Sequence, residues 1–234
     1  MDKFLITGAS SGIGREVASR LAARGAKLTL HGRTEAKLAE AAAACAGAAS
    51  IETLASDLTA PHAAETLVTK ANESMGGIDC VIHCAGIGLI KPAADTTDAE
   101  FSKIVNTNLR GTFLVAQASC KVMAAQKHGL FITLPGILGK AVMKNAAAYI
   151  ASKFGVTGLI KTFAQEYARS GIRFCLFFLG GVDSPFWDGI NMAVQRDKMI
   201  PLPTAADLIL QAIDAPPHLV LAEVILQPES HQLV

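Results

Sequence analysis

Tyr149 and Lys153 stand four residues apart in "YIASK", a spacing that puts both on one face of a helix. A phenol beside an ammonium is proton-transfer chemistry. A free tyrosine titrates at about pH 10, and a nearby positive charge favours its phenolate. Taken alone, the same pair also suits a solvated helix surface, so its surroundings must decide. Upstream, the apolar run "FITL" breaks at Pro135-Gly136, a turn with no side chain able to hydrogen-bond a substrate.

A second chemical signal is "TGASSGIG", Thr7 to Gly14, following the first apolar run. Gly8, Gly12 and Gly14, with Ser10, Ser11 and Ile13 between them, would bring backbone amides and a helix start against a pyrophosphate. The spacing departs from G-x-G-x-x-G, and a tight turn without ligand is the plainer alternative. Its place after the first strand of a parallel sheet favours the dinucleotide reading. Further on, "LHGRT" carries Gly32 where an NAD-binding acid would stand, followed by Arg33. An acid would repel a 2′-phosphate and a guanidinium would pair with it, so NADP(H) is expected over NAD(H). The competing reading of Arg33 is an ordinary solvated charge.

These residues need elements to hold them. "KFLIT", "KLTLH", "SIETLAS", "CVIHCA", "LFITL", "IRFCLFF" and "LVLAEVIL" read as buried strands. Ala-rich helical segments such as "GREVASRLAARG" and "EAKLAEAAAACAG" separate the first six, with Gly25 and Gly47 as expected helix stops. The alternation predicts an α/β fold: one parallel sheet with helices on both faces. Residues 1–234 read as a single domain, without repeat or linker. Residues 184–204 lose all periodicity and are expected to form a substrate lid. Phe186, Trp187, Ile190, Met192 and Met199 would give it a hydrophobic wall, unless the loop merely packs on the domain or a partner subunit.

A net charge of +1 without a basic run argues against nucleic acid or an anionic membrane as the main partner. No apolar run reaches the roughly 18 residues of a membrane span. Cys45, Cys80, Cys84, Cys120 and Cys175 are odd in number and lack metal-ligand spacing, so no metal is expected. With a strand starting at once in "MDKFLITGAS", a cytoplasmic location is the expectation.

In order, "TGASSGIG", "SDLT", "CAG", "NTNLRG", "YIASK" and "GGVDSPF" resemble the motif series of the short-chain dehydrogenase/reductase family over nearly the whole chain. The compact length and the ending "EVILQP" are similar to sepiapterin-reductase-like members. The resemblance implies a doubly wound Rossmann sheet of seven strands, carbonyl/alcohol chemistry with a nicotinamide on a small molecule, and homodimers or homotetramers. It implies Tyr149 as proton donor, Lys153 as its charged neighbour and holder of ribose hydroxyls, and Asn108 as anchor of a water beside Lys153. Asp57, with Leu58 beside it, would meet the adenine amino group, or cap a helix near Pro61, or both. Ala85 and Gly86 belong to the cofactor wall. Gly180, the Val182 backbone and the Ser184 hydroxyl would hold the nicotinamide end.

Three departures from the family pattern stand beside these matches. His83-Cys84 replaces Asn-Asn, costing an amide that ties strands; His83 reads as a replacement tie or a backbone-satisfied core histidine before it reads as a base. Leu179 replaces a proline ahead of Gly180. Gly136 replaces the serine that orients the substrate carbonyl, a loss on the order of 3–4 kcal/mol in such sites. Thr133 and Ser152 are poorly placed to substitute, whereas Lys140 and Asn145 could reach the pocket. Two readings follow: a reductase with an atypical site, or a cofactor sensor or scaffold subunit without turnover.

Overall fold

The computed structural model describes residues 1–233. Its strands are β1 (Lys3–Thr7), β2 (Lys27–Gly32), β3 (Ser50–Ala55), β4 (Cys80–His83), β5 (Gly129–Thr133), β6 (Ile172–Leu179) and β7 (Glu223–Leu226). All pairings are parallel, in the order β3-β2-β1-β4-β5-β6-β7. The helices are α1 (Gly12–Ala22), α2 (Glu35–Ala43), α3 (Ala63–Met75), α4 (Asp98–Val105), α5 (Gly111–Gln126), α6 (Ala147–Glu166) and α7 (Leu202–Asp214). This is the doubly wound Rossmann arrangement.

The inner strands β1, β2, β4, β5 and β6 are buried because alternate side chains enter different cores. By contrast β3 and β7, expected to be buried, hold no buried residue because they are the edges of the sheet. Phe4, Ile6, Leu28 and Leu30 pack with Val17 and Leu21 of α1 and Ile209 of α7. Leu5, Val81 and Phe131 pack with Leu67 of α3, Met123 of α5 and Ile160 of α6. The strand order reverses between β1 and β4, opening a crevice at their carboxyl ends. Between α4 and α5 lies one π-helical turn, Asn106–Arg110. At the start of α4, the Thr97 hydroxyl and the Glu100 carboxylate form a reciprocal capping box.

Several boundaries differ from the expectations. α1 and α2 stop before Gly25 and Gly47; Gly25 ends the following turn at φ +75°, and Gly47 is small because α1 presses on it. β7 takes only the second half of "LVLAEVIL": the Leu219 carbonyl accepts from Arg173, and Leu219, Val220 and Leu221 remain exposed. The irregular segment holds two short 3₁₀ turns, Pro185–Gly189 and Arg196–Lys198, and ends where α7 begins. Among the described residues, no helix is long and apolar enough to cross a membrane, and no group of His, Cys, Asp or Glu is placed to hold a metal.

Candidate active site

A cavity of about 650 Å³ opens at the carboxyl ends of the strands. Gly8, Ser10, Ser11, Gly12, Ile13 and Gly14 line it, with Ala85 and Gly86 beside Gly8. Arg33, Asp57 and Leu58 stand at one end; Tyr149, Lys153, Gly180, Val182 and Ser184 also line it. Gly8 adopts φ +68°, and a Cβ there would fall 2.9 Å from the Ala85 nitrogen, so only glycine allows this approach of β1 and β4.

At the Arg33 end, a Cβ on Gly32 would stand 2.9 Å from the Ser10 Oγ, so a larger residue there would have to displace the Ser10 side chain. Among the described residues, the exposed Arg33 guanidinium makes no hydrogen bond or ion pair; its field helps hold the Asp57 carboxyl below its ordinary range. The main cause of that lowering is the Asp57 Oδ1, which accepts from the Thr59 amide at 2.8 Å and hydroxyl at 2.7 Å. Asp57 therefore closes a local turn and is not a helix cap; α3 begins after His62. His31, unremarked in the sequence reading, also lines the cavity. Burial lowers its pKa to about 4, and among the described residues its Nδ1 has no partner.

At the other end, α6 presents Tyr149 and Lys153 together as their spacing predicts. The Lys153 Nζ lies 5.6 Å from the Tyr149 ring centre and donates to the Leu134 carbonyl at 2.9 Å. Burial pushes the Tyr149 pKa up and the Lys153 pKa down to about 8. At neutral pH the phenol therefore carries its proton and the ammonium retains its charge.

Asn108 is 1% exposed and stands behind the cavity wall, with its Oδ1 against Gly86. Its Oδ1 accepts from the Ile87 amide at 2.8 Å. Its Nδ2 donates to the Ile87 carbonyl at 2.9 Å and the Ser152 Oγ at 3.0 Å. Ser152 donates in turn to the Tyr149 carbonyl at 2.7 Å. Asn108, which the resemblance places among the catalytic and cofactor-binding residues, thus braces the wall and α6 through its side chain and does not itself line the cavity. Ile87, Leu134 and Ser152 were missed as partners: two act through their backbones, which leave no side-chain signature.

Gly136 lines the cavity at φ +70° and ψ 173°, with its amide donating to the Phe177 carbonyl at 3.1 Å. Neither suggested substitute reaches it. The Lys140 ammonium pairs with Glu223 over the Phe178 ring, and Asn145, at φ +62° in a turn, does not line the cavity. The hydroxyl of Thr133 faces the His83 carbonyl inside the sheet. The irregular segment supplies apolar walls: Phe186, Trp187, Met192 and Met199 line the cavity, and the Phe186 ring centre is 6.1 Å from that of Tyr149. Ile190 instead packs beside Gly88. Cys84 also lines the cavity, but burial pushes its thiol up to about 12, which removes it as a nucleophile. Ser230 and His231, from the segment after β7, complete the wall without any sequence signal having marked them.

The short chain dehydrogenase family model matches residues 2–195. The chain belongs to that family. This short-chain dehydrogenase is 32% identical over 236 residues to a sepiapterin reductase of Chlorobaculum tepidum, covering 97% of this chain and 96% of the relative. It is 37% identical over 209 residues to a levodione reductase of Leifsonia aquatica, covering 88% and 78%. A metagenomic short-chain oxidoreductase solved in complex with NADP superposes with a TM-score of 0.84 at 26% identity, covering 97% and 96%. Membership makes the chain an oxidoreductase of carbonyl/alcohol chemistry.

Proposed function

We propose that this short-chain dehydrogenase interconverts a carbonyl and an alcohol on a small, partly hydrophobic molecule with NADP(H), Tyr149 exchanging the proton. The observation that carries the reading is one continuous cavity with the unpaired Arg33 at one end and Tyr149-Lys153 at the other. The wall suits a dinucleotide phosphate. Gly8, Gly12 and Gly14 leave backbone open to the cavity in the Gly8–Gly14 turn, Gly32 stands where an acid would, and Arg33 is free to meet a 2′-phosphate. The related oxidoreductase solved with NADP supports the same choice.

Bound NADPH would supply the hydride to the carbonyl carbon. Tyr149 gives its hydroxyl proton to the carbonyl oxygen, and the Lys153 charge stabilises the phenolate that remains. A solvent proton then restores the phenol, so that carbonyl, NADPH and one proton become alcohol and NADP⁺. Phe186, Trp187 and Met192 exclude water and favour an apolar substrate body. Gly136 contributes no hydroxyl, so orientation falls to substrate shape and the remaining wall.

The half-exposed Phe101, Phe113 and Phe154, on α4, α5 and α6, support self-association into a homodimer or homotetramer, which light scattering would read as mass. The function is tested with NADPH and a panel of ketones, aldehydes and diketones, beside Tyr149→Phe. Turnover by the wild type and its loss by roughly a hundredfold or more in the variant are expected. Tight NADPH binding without turnover on any of them would overturn the reductase reading in favour of a cofactor sensor or scaffold.

A further inference from the structure

His83 ends β4 at 2% exposure, and both of its ring nitrogens are bonded. Its Nδ1 is 2.8 Å from the Thr7 Oγ1 on β1, and its Nε2 is 3.0 Å from the Thr112 Oγ1 on α5. The Thr112 Oγ1 is also 2.5 Å from the Asn108 carbonyl, which can only accept. The single Thr112 proton therefore goes to Asn108, and Thr112 must accept from His83 Nε2–H. Burial lowers the His83 pKa to about 3, so the ring is neutral, with one N–H. Nδ1 is then bare and accepts from the Thr7 hydroxyl, which accepts in turn from the Ala85 amide at 3.3 Å. Every proton in the row has one assignment.

The row does not end at Asn108. Its carbonyl belongs to the π-helical turn, and its side chain holds Ile87 and, through Ser152, the backbone of Tyr149. We infer that His83 is a positioning residue: the Nε2-protonated ring, through Thr112, sets the π turn at Asn108 and thereby the place of Tyr149. The inference rests on the proposed reductase reading for its kinetic consequence and on the hydrogen-bond geometry alone for its structural one. The ring does more than fill a core site, because its two opposed nitrogens span β1 and α5, joining the Ala85 side of the cavity to the Tyr149 side. This chain uses one imidazole where the resemblance implied an asparagine tying strands.

Three measurements on the full-length protein test it. Side-chain ¹⁵N spectra of the wild type should show His83 protonated at Nε2 and bare at Nδ1; the opposite tautomer would overturn the assignment. Amide exchange at Ile87 should quicken about tenfold in both His83→Phe and Thr112→Val, as expected when a buried bond that positions its partner is lost. Unchanged exchange in both would overturn the link to Asn108, whether or not the protein turns over any substrate.

In carbonyl reduction, each variant should lose about tenfold in kcat with the NADPH Kd held, and the double variant should lose no more than either alone. His83→Gln, which keeps a donor and an acceptor, should recover part of the rate. A lower melting temperature with unchanged kcat would reduce His83 to packing. Should His83→Phe fail to fold, Thr112→Val cuts the same link while leaving β4 intact. A wild type without turnover would sink the reductase reading, and the tautomer and exchange results would still judge His83.

Discussion

Putting serine back at position 136 separates two energies that act on different observables. Gly136 holds φ +70° and ψ 173°, a region that side-chain-bearing residues adopt at a cost of about 1–3 kcal/mol. Space is not the obstacle: an added Cβ would meet only the Leu179 carbonyl, at 3.5 Å. For a chain of this size, each kcal/mol corresponds to about 2–4 °C, so Gly136→Ala and Gly136→Ser should both melt about 2–12 °C lower. A positioned hydroxyl beside the carbonyl oxygen would return on the order of 3–4 kcal/mol of transition-state stabilisation, a factor of hundreds to thousands. The catalytic gain exceeds the strain, and the strain falls on folding, so the serine variant should be less stable than the wild type, like the alanine variant, yet faster than either on simple ketones. The assay is thermal unfolding alongside kcat/KM at saturating NADPH for all three proteins. An alanine variant as stable as the wild type would refute the strain argument. Equal kcat/KM for serine and alanine would show that the hydroxyl is not what the site lacks.

Arg33→Ala should weaken NADPH binding by about tenfold, modestly because the guanidinium is exposed, and leave NADH binding unchanged; equal losses for both would remove the 2′-phosphate contact. Reduction needs the Lys153 ammonium, so kcat/KM should fall above about pH 8, while Tyr149 stays protonated through that range. The same group acts on stability with opposite sign. Its folded pKa of about 8 lies below the ordinary 10.5, so the unfolded chain binds more protons between them, and Lys153's contribution should stabilise the fold as pH rises through that window. Lys153→Met should lose both pH effects. Trp187 donates to the Val182 carbonyl at 2.9 Å in the cavity wall, so its fluorescence should change on NADPH saturation; a flat titration would mean that the lid does not respond to the cofactor.

The inner strands were legible because a parallel strand buried on both faces reads as an apolar run, while the edge strands β3 and β7, neither of which has a buried residue, were legible by their place in the alternation with helices. Tyr149-Lys153 was legible for a similar local reason: a separation of four residues on a helix needs no tertiary information. The second half of "LVLAEVIL" became β7 and the first half did not, because the Arg173 hydrogen bond that holds Leu219 outside the strand comes from β6. Lys140 looked able to reach the pocket until Glu223, far along the chain, drew it away.

From the sequence alone came the parallel α/β sheet, the place of the glycine turn, the absent acid at Gly32 and the absent hydroxyl at Gly136, since each depends on residue type and near spacing. Only the tertiary structure decided that Asn108 stands behind the cavity as a brace, that His83 spans Thr7 and Thr112, and that Gly136 sits at a backbone conformation costly to any other residue. Those properties depend on where distant backbones and hydroxyls meet, and a hydrogen bond between residues far apart in the chain leaves no periodicity to read.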